Sequence, residues 1–438
     1  MGQYANINLE FFAREVIAAA CYTHHFRASA CWKPFAPYYL RSLALGPGTA
    51  DDYFVYVVRD TTQKMAEYLA ADEIERQKLS LVISRAAVNF YAPGIYSSLT
   101  NFGAAPPQIS QICDAPEHLL SVAANLGNLT LVKHLTKSVD VNNGSYVFGK
   151  PLLNAAWKSH FQIVQFLLNE GADAGDCVNF HEQDSQHNNN WYAGGKSYSD
   201  SDFEDPRPGT ALEAAALGGY EQVAQLLLQH DYRVSRSSYN YFRAITYAAS
   251  SDNLDLLELM SKKADFNALS EVMTQEFWNH TLKFAAFHGS TKTIPFILDA
   301  GAQINHTILY DRFYTSALGF AALRGHNITI RILLEKGADV DGWPDSEERP
   351  ISLAAHTYGF PRTVKLLLDE GAPIHPVRSR LLEQAMMYSP ISVIRVLVEM
   401  GVHKRREDGG KGALGSAIFQ GNHEAVVLLK SHGVTLEK

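Results

Sequence analysis

From residue 118 onward one short phrase recurs: an aliphatic residue, two variable residues, then alanine and a second small or apolar residue. It reads LSVAA (Leu120 to Ala124), LLNAA (Leu152 to Ala156), LEAAA (Leu212 to Ala216), ITYAA (Ile245 to Ala249) and LKFAA (Leu282 to Ala286). It continues as LGFAA (Leu318 to Ala322), ISLAA (Ile351 to Ala355), LEQAM (Leu382 to Met386) and LGSAI (Leu414 to Ile418). The first alanines fall at 123, 155, 215, 248, 285, 321, 354, 385 and 417, in steps of 32, 60, 33, 37, 36, 33, 31 and 32. Twelve positions after each comes an apolar anchor: Leu135, Leu167, Leu227, Met260, Ile297, Leu333, Leu366, Leu397 and Leu429. Glycine often follows at sixteen, as Gly171, Gly301, Gly337, Gly401 and Gly433, with Gly371 displaced by one. This pattern predicts two short antiparallel helices per unit. The alanines let neighbouring first helices approach, the aliphatic second helix supplies the apolar face, and the glycine ends it in a left-handed conformation. Such a unit cannot bury its own apolar face, so neighbours must stack.

The phrases RPISLAA, ALGFAALRGHNITIRILLEKGADV and PLLNAAWKSHFQIVQFLLNEGADA resemble the ankyrin repeat, whose period is about 33 residues. The resemblance covers residues 118–438 as about nine units and implies an all-α ankyrin-repeat solenoid with β-turn fingers. It is divergent, and in that respect similar to the large ankyrin families of fungi. The family's T-P-L-H start survives only in fragments such as Thr210-Ala211-Leu212-Glu213, and its histidine is absent, so a Thr–His network is not expected. In the fourth unit Asp252 stands at the inter-helix glycine, and the terminal glycine is missing.

Residues 1–115 lack the repeat. Phe11 to Phe26 reads as an amphipathic helix, and Thr62 to Phe90 as one or two more, with Asp72 and Glu73 as capping residues. Gly46-Pro47-Gly48 and Ala104 to Gln108 mark turns. The reading is a helical cap over the first repeat, with an independent effector domain as the alternative. Cys21, His24, His25 and Cys31 lack the paired spacing of a structural zinc site, and no metal or cofactor is expected.

The resemblance implies that the turns before each first helix edge a concave binding face. In this chain those turns are aromatic: Tyr146 and Phe148, Trp191 and Tyr192, Tyr239, Tyr241 and Phe242, Tyr310, Phe313 and Tyr314, then Trp343, with Arg243 and Arg312 among them. Aromatic and arginine side chains dominate binding hot spots. Tyr146, Phe148, Trp191, Tyr192, Tyr241, Arg243, Arg312, Tyr314 and Trp343 are therefore the candidate partner-binding residues, with packing between fingers as the competing reading. The 60-residue step places a surplus of 27 residues on the finger at 178–209, which carries Glu182, Asp184, Asp200, Asp202, Glu204 and Asp205 against Lys196 and Arg207. Its HEQDSQH run offers His181, Glu182, Asp184 and His187 as acid–base candidates for an alternative, catalytic reading.

Composition narrows the classes. A formal charge of -8 argues against nucleic acid held by bulk electrostatics. Scattered cysteines suggest reduced thiols, and no secretory leader or apolar run of spanning length is visible. The expected address is cytoplasmic or nuclear, not secreted. Elbow, zincin and dinucleotide motifs are missing, and AGGKS (Ala193 to Ser197) lacks the preceding strand and glycine of a phosphate loop. The expected function is a non-catalytic scaffold binding a protein partner on the concave face. The alternative is an isomerase-, cyclase- or lyase-like enzyme holding a small molecule in the aromatic concavity beneath the 178–209 insertion.

Overall fold

The computed structural model describes residues 36–46, 53–99, 116–145, 147–175, 208–230, 236–310, 313–342, 349–356, 359–373, 381–405 and 408–436. The described chain is helical but for one short hairpin, which serves as a finger. It divides into two units between Ser235 and Arg236. The first contains α1 (Ala36–Leu45), α2 (Tyr53–Leu69) and α3 (Glu73–Leu99). Three helix pairs follow: α4 (Pro116–Leu126) with α5 (Leu129–Leu135), α6 (Pro151–Trp157) with α7 (Phe161–Asn169), and α8 (Ala211–Leu217) with α9 (Glu221–His230). This division does not follow the sequence boundary near residue 115, because the N-terminal helices group with the first repeats. Asp72 and Glu75 form a reciprocal cap: Glu75 N donates to Asp72 Oδ1 at 2.8 Å, and Asp72 N to Glu75 Oε2 at 3.2 Å. The proposed helix at Phe11–Phe26, the turn at Ala104–Gln108 and the Cys21–Cys31 cluster lie outside the described residues.

The second unit holds six pairs. They are α10 (Tyr239–Ser250) with α11 (Leu254–Lys263), α12 (Glu271–His288) with α13 (Thr293–Asp299), and α14 (Ala317–Arg324) with α15 (Asn327–Glu335). Then come α16 (Pro350–His356) with α17 (Pro361–Asp369), α18 (Leu381–Tyr388) with α19 (Ile391–Glu399), and α20 (Lys411–Phe419) with α21 (His423–Ser431). Strands β1 (Ile308–Tyr310) and β2 (Phe313–Thr315) pair antiparallel before α14, with Leu309 opposite Tyr314.

The alanine register is the core of both units. Ala123, Ala155, Ala215, Ala248, Ala285, Ala321, Ala354, Ala385 and Ala417 are all 0% exposed. The aliphatic residue three places earlier is buried in every pair, and so are the second-helix anchors apart from Leu135, which is half-buried. A small side chain at this position lets neighbouring first helices pack closely. Helix ends follow from the same pattern. Gly337 has φ 93, and a Cβ added there would meet nothing within 4 Å, so glycine is a matter of backbone conformation and not of space. Gly325 has φ 73, and a Cβ would lie 2.6 Å from Phe360 Cδ1, so both conformation and space demand it.

Two first helices are longer than the rest. The α10 helix starts at Tyr239 because the Ser238 side chain accepts from Tyr241 N, and α12 starts at Glu271 because the Ser270 side chain accepts from Met273 N. Before these two pairs, helix replaces the turn that the repeat pattern predicts. Tyr239, Tyr241 and Phe242 are thus helical residues, not finger residues.

Candidate functional site

The fingers are held by side chains that reach from one pair to the next. In the first unit Asp173 N donates to Asn142 Oδ1 at 2.7 Å, and in the second Asp339 N donates to Asn305 Oδ1 at 2.9 Å. In three pairs the position two residues before the first alanine, where the family's histidine would stand, carries a second tie. Ser121 Oγ donates to Gly149 O at 2.6 Å, Thr246 Oγ1 lies 3.0 Å from Thr281 Oγ1, and Lys283 Nζ donates to His306 Nδ1 at 2.5 Å. Different chemistries occupy one structural position, so in these pairs other side chains tie neighbouring units where the histidine is absent.

Lys283 is the most unusual of these. Its side chain is buried, at 1% exposure. Burial pushes its ammonium down from 10.5 to about 7, against the opposing pull of Glu276. His306 accepts through Nδ1 and presents Nε2 3.4 Å from Glu276 Oε1. Burial, then Lys283, lowers His306 as well, while Glu276 raises it. His280, one turn before Lys283, is pushed down to about 3 by burial and then by the Lys283 charge. Together with the hydrogen bond from Gln303 N to Asn279 Oδ1 at 2.7 Å, these contacts clamp the segment after α13 onto α12.

The candidate partner-binding residues separate into three groups. Phe148 is 1% exposed and meets the His118 ring edge-on at 6.0 Å, and Tyr241 is 0% exposed with its hydroxyl donating to Met260 O at 3.0 Å. Both pack inside, which corrects the expectation that they face a partner. Their finger or helix places the ring inward because the neighbouring pair offers it apolar cover. Tyr314 on β2 is 52% exposed, and the Arg243 guanidinium lies over the rings of Tyr239 (5.4 Å) and Tyr247 (5.7 Å). Tyr146, Trp191, Tyr192, Arg312 and Trp343 lie outside the described residues, as do His181, Glu182, Asp184 and His187 of the catalytic alternative.

A further set lies on the first helices and not in the turns. Across α10, α12 and α14 an unbroken line of contacts runs from ring to ring. Tyr247 meets Phe284 at 5.7 Å, Phe284 meets His288 at 4.7 Å, and His288 meets Phe287 at 5.3 Å. Phe287 meets Phe320 at 5.9 Å, and the Arg324 guanidinium sits 4.9 Å over the Phe287 ring. Arg243, Tyr247 and Ser251, like His280, Phe284 and His288, are four residues apart, so each trio shares one helix face. The middle member of each trio is buried between neighbours, and the last opens toward solvent. Of this set the expected sites included only Arg243, although the i, i+4 spacing of the others is visible in the sequence.

Other aromatics form core. Phe242, Phe266, Phe277 and Trp278 stack with centroids 4.8 to 5.8 Å apart. A recess lined by Val141, Asn142, Lys150, Leu153 and Asp173 offers ≈ 10 Å³, too little for a substrate. Among the described residues no group of three His, Cys, Asp or Glu side chains could hold a metal ion, and no helix is long and apolar enough to cross a membrane.

Residues 282–378 match the family described as ankyrin repeats, in 3 copies. No curated protein matches the chain.

Proposed function

Because this chain is an ankyrin-repeat protein, and ankyrin repeats are generally protein–protein interaction modules, we propose that it acts as a non-catalytic scaffold in the cytoplasm or nucleus. Its partner is a protein held along the first helices and fingers. The observation that carries this reading is the stacked array of helix pairs, whose first alanines are all 0% exposed, with the ankyrin-repeat match over residues 282–378. A surface preformed in this way loses little entropy through ordering on binding. Tyr314 on β2 is exposed and is available to a partner from the finger. Nucleic acid is not the partner, and no cofactor is used.

In this reading residues 1–115 cap the array. Support comes from α2, whose Tyr68 ring lies 6.3 Å from the His134 ring of α5.

The test is a photo-reactive residue placed in the full chain at Tyr314 or, on the second helix, at Arg331, with cross-linking in native cells. A discrete protein adduct from position 314 and none from 331 is expected. Adducts from 331 alone would contradict the proposal.

A further inference from the structure

Two positions of the first helix, counted from the first alanine, face the unit that follows. Two places before it, Ser121, Thr246 and Lys283 reach groups of the next unit. One place after it, every residue from Ala124 through Ala355 to Met386 is buried, at 2% exposure or less. In α20 the same two positions are Gly415 and Ile418. Ile418 is 48% exposed, and Phe419 beside it is 86% exposed where its counterpart Phe287 is 2%. After Lys411 the helix reads GALGSAIF, with no charge on any side. A helix apolar on every side is one that is buried on every side.

Gly415 supplies an independent observation. Glycine inside a helix weakens it, and nothing in the chain's own packing requires it there: a Cβ would meet nothing within 4 Å. At the equivalent place in α14 a Cβ on Gly319 would collide with Thr315 Oγ1, so that glycine is demanded by space. Gly415 therefore leaves a notch on the outward side of α20, one turn before the Phe419 ring. A further ankyrin unit is a poor occupant of this face. Thirteen places after the first alanine, Leu168, Leu228, Leu367 and Val398 are buried, but here stands exposed Lys430, whose ammonium such a unit would bury.

We propose that the outward face of α20, formed by Gly415, Ile418 and Phe419, pairs with the same face of a second copy of this chain. One helix carries both a ring and a notch, four residues apart, so two-fold symmetry satisfies both at once. In an antiparallel crossing each Phe419 ring seats over Gly415 of the partner subunit, and the two Ile418 side chains meet between them. Lys430 stays at the rim, with its stem on the apolar surface and its ammonium in water. Ile418 and Phe419 leave roughly 300 Å² of side chain in water on each copy. With the flanking helix surface the pair buries on the order of 1,000 Å², the lower limit of a specific interface. The dimer is therefore weak and reversible, and it leaves the finger side of the array open.

The experiment is analytical ultracentrifugation of the full chain over about 1 to 300 µM, the range in which an interface of this size associates. The expected result is a rise from the mass of one copy to that of two. Phe419→Asp, at a site 86% exposed, should weaken the association at least about ten-fold, with circular dichroism showing it folded. Ile328→Asp on α15, where the side chain is 68% exposed, should leave it unchanged. Gly415→Ala separates pairing from folding. It should raise the urea midpoint of the dilute single chain, because alanine favours the helix, and yet weaken the dimer by filling the notch.

A single-copy mass throughout the concentration range would overturn the inference. So would association that Phe419→Asp leaves intact, or growth beyond two copies, which two-fold pairing forbids. The scaffold reading is judged separately by the cross-links at 314 and 331.

Discussion

The pairs α10–α11 and α14–α15 perform the same task with different residues. In α14–α15 the inter-helix joint is Gly325 at φ 73, and His326 reaches back so that its Nε2 lies 3.0 Å from Phe287 O. In α10–α11 the joint is Asp252, a non-glycine residue held at φ 57. That left-handed conformation is strained, yet it aims the carboxylate at the next pair. Asp252 Oδ1 accepts from Thr291 N at 2.7 Å, Lys292 N at 2.7 Å and Thr293 N at 3.3 Å, while Oδ2 accepts from Thr291 Oγ1 at 3.0 Å. The α13 helix has no side-chain cap of its own at Lys292, so Asp252 supplies it from one pair away. Departure from the repeat pattern here marks a substituted tie, not a weakened unit.

The largest effect should come from removing that substitute. Asp252→Ala leaves three backbone N–H groups without their acceptor and keeps a side chain at positive φ. It should cost about 2–4 kcal/mol, read by urea unfolding of the full chain. Asp252→Gly relieves the backbone but still loses the cap, and should recover only part of this.

The conventional joint should show a smaller, divisible effect. Gly325→Ala meets both the left-handed backbone and the Phe360 ring, and should cost about 2–3 kcal/mol. Gly337→Ala meets the backbone term alone and should cost about 1–2 kcal/mol. Equal losses would show that the Phe360 contact yields freely.

Next comes pH. Lys283 has a folded value of about 7 against 10.5 unfolded, so between these the unfolded chain binds the extra proton. Stability should therefore be full above pH 10.5 and decline as pH falls toward 7, then level off with respect to this group. Lys283→Met should flatten that window in urea midpoints measured across it. His280, at about 3 against 6.5, adds a second decline between those values, which Lys283→Met should narrow but not abolish, because burial is the larger cause of that shift and the Lys283 charge the smaller. The smallest effect belongs to Tyr314→Ala, exposed at 52%, which should change stability by less than about 0.5 kcal/mol.

The repeat was legible because its signal is periodic and buried: nine alanines, each at 0% exposure, leave little room for another reading. Capping at Asp72 was legible from local chemistry alone. The helical starts at Ser238 and Ser270 were not, since a lone serine before an aromatic-rich stretch suits a turn as well as a cap. Side-chain direction was also hidden. Phe148 and Tyr241 read as exposed anchors, yet each had a buried slot provided by residues distant in sequence. The Asp252 cap joins residues 39 to 41 apart, a separation no local pattern encodes. The line of ring contacts from Tyr247 to Phe287 was recoverable from i, i+4 spacing once the alanine register was fixed.

The most direct test is hydrogen exchange of the full chain with and without the protein partner identified by cross-linking at position 314. Slowed exchange confined to 239–250, 271–288, 308–315 and 317–324 is the expected result. Slowed exchange in 254–263 and 327–335, with the first helices unchanged, would place recognition on the second helices and contradict the account.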